Sequence, residues 1–142
     1  MEHTNTKLIK EIAENLEIGC NSYYNKKTYE LIAIPNNSLI MDDESFDETF
    51  GEDFKRVTKK NSGFIKIEVL ESFDSFKIME YFTEQLEDNI LKQALLSALE
   101  RKKPFQNFNH IIHNSNKRQN WFDFKQKEMG KIVEKILDIE RL

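Results

Sequence analysis

Four groups of residues in this chain have side chains whose types and spacing are suited to chemistry. His110 and His113 stand three apart, so on a helix the two imidazoles share a face and are placed to offer two nitrogens to a metal. The pair lacks the glutamate of a His-Glu-x-x-His arrangement and has no cysteine companion, which favours surface or packing histidines and no metal site. A second group, Asp42, Asp43, Glu44, Asp47, Glu48, Glu52 and Asp53, has the carboxylates for divalent-cation binding or acid–base work. Its oxygens and Gly51 fall at the wrong offsets for a calcium loop, so a solvated face is the expected reading. Nucleophilic catalysis would need Cys20 or a serine beside a histidine, and His3 lies near the chain end. The glycines at 19, 51, 63 and 130 form no phosphate-cradling loop and no dinucleotide fingerprint. Neither a catalytic residue nor a cofactor is expected.

The fourth group is basic. Arg101, Lys102, Lys103, Lys117 and Arg118 flank a segment carrying Phe105 and Phe108, and Trp121 follows. Phosphates attract cations and bases stack on aromatic rings, so this set is the candidate for binding an anion, a nucleic acid or a partner. Against nucleic acid stand an acidic pI near 5.5 and the helical core spacing of Phe105, Phe108, Phe122 and Phe124. Trp121 and Phe122 are adjacent and cannot point the same way on one helix, so one of them is expected near the surface.

The charge balance supplies a context for that basic set. Residues 101–142 carry ten Lys/Arg against five Asp/Glu, whereas residues 1–60 carry eight against twelve and residues 61–100 three against eight. Such polarity suits two mutually attracting halves of one fold, or an anionic partner. The acidic stretch resting on the basic third would be an autoinhibitory version of the first reading.

The elements that position these residues follow from periodicity. Leu8, Ile9, Ile12, Ala13 and Leu16 predict a helix over 4–17, stopped near Gly19. The run CNSYYNKKTYELIAIP predicts a hairpin closed by Pro35, with Tyr23, Tyr24 and Tyr29 available as a contact patch or as a packed face. Phe46, Phe50 and Phe54 recur every four residues and mark a short helix that Gly51 weakens. GFIKIEVLE alternates as a half-buried strand expected to join the hairpin. Helices follow: one with Phe76, Met79, Phe82 and Leu86 inward, and one with Ile90, Leu91, Ala94, Leu95 and Ala98 inward. Pro104 then restarts a third, and a last runs over 117–139 with Asn116 and Gln119 as a capping pair. Gly130 within it predicts close helix packing.

Together these predict an α+β protein: a small antiparallel sheet, formed by the hairpin and one further strand, with an N-terminal helix and a mainly helical C-terminal half. Its 142 residues suffice for one domain, with a helix and sheet region over 4–70 and a helical region over 72–139. One cysteine makes no internal disulfide, and neither a leader nor an eighteen-residue apolar run is present, so a cytoplasmic location without membrane insertion is expected.

Several strings also resemble a family of small bacterial proteins with no established reaction. They are SYYNKKTYELI, similar to that family's tyrosine-bearing hairpin; FIKIEVLESFDSFKIMEYF, similar to its strand, Asp/Ser link and Met-Glu-x-Phe helix; and KKPFQNF followed by NWFDFKQK. The resemblance covers about residues 9–138; where family members often carry a turn glycine, this chain has Lys27 and Thr28. It implies a bacterial, cytoplasmic protein and supplies no catalytic residue to carry over. The expected function class is a non-enzymatic interaction or regulatory module that binds a protein partner or itself, with nucleic-acid association as the alternative.

Overall fold

The computed structural model describes residues 2–36 and 43–141. Among them are six helices and three strands: α1 (Glu2–Glu17), β1 (Cys20–Asn25), β2 (Leu31–Pro35), α2 (Asp43–Thr58), β3 (Phe64–Ile67), α3 (Ser72–Glu84), α4 (Asn89–Glu100), α5 (Pro104–His113) and α6 (Arg118–Arg141). The architecture is α+β, with an antiparallel sheet of order β2-β1-β3. The chain divides into two compact units, Met1–Val69 with Gly130–Leu142, and Leu70–Met129.

In the first unit β1 is the central strand, so its side chains are buried on both sheet faces. Tyr23 lies opposite Ile32 of β2, and this face packs with Ile34, Phe64 and the α2 residues Phe46, Phe50 and Val57. The four-residue spacing of the phenylalanines therefore does mark a helix, and the rings of Phe46 and Phe50 meet at 5.7 Å. Successive strand residues alternate faces. Tyr24 accordingly points away from Tyr23, and Tyr29 stands exposed in the turn, so the three hairpin tyrosines form no common patch. On the α1 side, Asn15 Nδ2 donates to the Ser22 hydroxyl at 3.3 Å beside Ile12, Ala13 and Leu16.

Two buried asparagines fix the strand ends. Asn25 Oδ1 accepts from the backbone N–H groups of Lys27 and Thr28 at 2.9 and 3.2 Å, and Tyr29 closes the turn with a left-handed φ of 65°. An Asx-type turn thus replaces the Asn-Gly or Asp-Gly pair that a two-residue hairpin would use. Asn21 Oδ1 accepts from Val69 N–H at 2.9 Å, and its Nδ2 donates to Asn36 Oδ1 at 3.0 Å. Gly63 has φ +83°, and a Cβ there would sit 3.2 Å from Asn25 Nδ2, so this position needs glycine twice over. Gly130 belongs to the same unit: a Cβ there would lie 3.4 Å from Ile9 Cγ2, an ordinary contact, so the packing at this position does not itself require glycine.

The second unit is helical. Asp88 caps α4 by accepting from Leu91 N–H at 3.1 Å, and Pro104 opens α5 where a missing N–H costs nothing. Met79, Phe82, Leu95, Phe108, Ile112 and Trp121 are buried there. Ile90 is the exception to the predicted inward stripe: it is 87% exposed in the first turn of α4. It lies five residues ahead of Leu95, about 140° around the helix, and so faces outward. The predicted capping pair also differs. Gln119 donates to Asp123, and the Ser115 hydroxyl accepts from Lys117 N–H at 3.1 Å ahead of α6.

Candidate functional site

The basic set lies wholly within the second unit, where it splits in two. Arg101, Lys102 and Lys103 are exposed in the link that enters α5, with Lys103 left-handed at φ 56°. Lys117 and Arg118 lie past the other end of α5. Ten helical residues hold the two groups about 15 Å apart along the axis. Arg101, Lys102 and Lys103 make no ion pair among the described residues, whereas the Arg118 guanidinium stacks over Phe122 at 5.6 Å.

Trp121 corrects the expectation that it belongs with this surface. It is 1% exposed, wedged against Phe82 at 5.2 Å and Phe108 at 5.0 Å between ring centroids. Phe122 is the one of the adjacent pair that reaches outward, half-buried beneath Arg118 and edge-on to His113. No indole face is free to stack on a base.

A cleft of about 450 Å³ opens beside this core. One wall is the end of α3 and the link to α4, with Gln85, Leu86, Glu87 and Asp88; the other is Asn116, Lys117 and Asn120 at the start of α6. Phe82 lines it as well, and its ring also touches Trp121. The volume is in the range of small-molecule sites, and the lining is mostly polar. Lys117 was in the sequence-derived set; the cleft's other residues were not, because they come from two segments that periodicity reads as plain helix ends.

The outward faces of α3 and α4 carry large apolar groups. Phe73 is 68% and Tyr81 52% exposed, and Lys77 stands between them at four-residue spacing with its ammonium 5.5 Å above the Phe73 ring. Ile90 adds the outward aliphatic group of α4.

The other chemical candidates separate. His110 and His113 are both exposed, and no group of three metal-ligating side chains occurs among the described residues. Of the acidic stretch, Glu44, Asp47, Glu48, Glu52 and Asp53 are exposed on α2; Asp42 and the side chain of Asp43 lie outside the described residues, as does the side chain of His3. Every buried side-chain nitrogen and oxygen among the described residues has a hydrogen-bond partner. No described helix is long and apolar enough to cross a membrane.

A central-strand β1 hairpin, a third antiparallel strand and a helical second unit define a small α+β protein whose surface features are a polar cleft and an apolar helix face. The model of Uncharacterised protein family (UPF0158) matches residues 4–141, and the chain belongs to that family. No curated protein and no solved structure matches it.

Proposed function

We propose that this protein is a non-enzymatic interaction module of the bacterial cytoplasm that docks a protein partner on the outward faces of α3 and α4. The observation that carries this reading is the exposed aromatic row Phe73–Lys77–Tyr81, together with Ile90. Aromatic and aliphatic groups anchored on a rigid helix bury area on docking at little entropic cost, and tyrosine adds a polar tip for the rim. Buried polar groups are satisfied, His110 and His113 stand exposed on α5, and no group of three metal-ligating side chains occurs among the described residues. The single cysteine, free and half-buried, suits a reducing compartment.

Nucleic-acid association is the second reading, favoured by the exposed, unpaired Arg101, Lys102 and Lys103. It has the weaker support, since Trp121 is buried and the cations are divided by α5.

The test is chemical crosslinking in cells of the wild-type chain and of the Phe73→Ser, Tyr81→Ser, Ile90→Ser variant, with sedimentation of each purified chain to detect a second copy. A discrete protein adduct or dimer that the variant loses while keeping its helical signal agrees with the proposal. The same adducts from both chains, or none from either, reject it.

A further inference from the structure

The cleft at the end of α3 holds opposite charges that do not meet. Lys117 is half-buried on one wall, and Glu87 stands on the other. The two make no ion pair with each other or with any other described residue, so their charged atoms are more than 4.0 Å apart. A lysine and a glutamate that line one cleft without pairing are an arrangement that a bridging ligand stabilises, because each charge gains a partner without the two walls having to close. Gln85, Asn116 and Asn120 add amide donors and acceptors to the same cleft, and none of these side chains has another partner among the described residues. Asp88 caps α4 with one oxygen and keeps its negative charge beside Glu87 on the same wall. Phe82 and Leu86 supply an apolar surface.

We infer that this cleft binds a small zwitterion carrying an ammonium and a carboxylate, a free amino acid or a short peptide, with the carboxylate taken by Lys117, the ammonium by Glu87, and the amides reading the groups between. A simple anion would be repelled by Glu87 and Asp88, and a simple cation would leave Lys117 without a partner. A molecule with both charges satisfies both walls. Its volume of about 450 Å³ admits either a free amino acid or a short peptide. This site is independent of the outward face of α3 and α4, so failure of one leaves the other standing.

The test is an amide NMR titration of the full chain with free non-aromatic amino acids one at a time, then with trialanine, and with N-acetylalanine amide as the uncharged control. Saturable shifts at Glu87, Lys117 and Asn120 with an amino acid or with trialanine, and none with the blocked control, are expected. Which of the two binds identifies the source of the zwitterion. Lys117→Gln and Glu87→Gln should each weaken that binding by about tenfold or more, the order of one charge-assisted hydrogen bond. The blocked control needs no variant, so a variant that fails to fold does not spoil the test. Absence of shifts at millimolar ligand, equal binding of the blocked control, or affinity unchanged in both variants would overturn the inference.

Discussion

Trp121 stands edge-on to Phe108 with ring centroids 5.0 Å apart, and this contact turns the chain's one tryptophan from a surface reader into the centre of a helical core. Both side chains are essentially inaccessible to solvent. Truncating either leaves a cavity that its aromatic neighbours fill only in part. Trp121→Ala or Phe108→Ala is expected to cost about 3–5 kcal/mol, read from the midpoint of urea unfolding. A cost below about 1 kcal/mol would place the ring at the surface instead.

Burial of Trp121 also bears on nucleic acid. Its emission should stay constant when single-stranded DNA is added, and any anisotropy change of labelled DNA should vanish by moderate salt, as expected for scattered phosphate contacts. A blue or red shift of the tryptophan emission together with salt-resistant binding would instead favour the basic reading.

The hairpin turn carries strain that glycine relieves. Tyr29 is exposed, makes its turn at φ 65°, and donates its N–H to Asn25 O at 2.8 Å. Tyr29→Gly is expected to raise stability by about 1 kcal/mol, the cost of a left-handed L-residue. Asn25→Ala should act oppositely, by about 1–3 kcal/mol, since it orphans the two turn N–H groups that the amide oxygen accepts. Thermal unfolding of both variants checks the pair of signs.

Gly130 offers a graded test of helix packing. One added methyl meets Ile9 Cγ2 at 3.4 Å, an ordinary contact, so Gly130→Ala should gain up to about 1 kcal/mol of helix propensity. Gly130→Leu drives further carbons into Ile9 and should cost about 1–3 kcal/mol. Loss of stability in both would mean that the helices already touch at van der Waals limits.

Much of the fold was legible because its elements are strongly periodic. The Leu8–Leu16 stripe, the alternation around Ile67 and the four-residue recurrence of Phe46, Phe50 and Phe54 each identify one element type and one inward face. Periodicity failed at helix ends. Ile90 fits an apolar stripe by type, yet Asp88 starts α4 so late that Ile90 falls in its first turn and outside the packed arc. Trp121 and Phe122 are about 100° apart on α6, and pattern alone could not decide which enters the core. The cleft was illegible for another reason: Glu87 and Lys117 are thirty residues apart, and only tertiary packing brings them to one opening. The amides of Asn21 and Asn25 tie β1 to the segments on either side, a role that no periodic pattern marks.

The most direct test of the interaction reading places a photoreactive amino acid at position 81, on the outward face of α3, and at position 134, an exposed site on α6, in cells. A defined protein adduct from position 81, lost when Phe73→Ser and Ile90→Ser are added, and none from position 134, is expected. Equal adducts from both positions, or none from position 81, would contradict that reading.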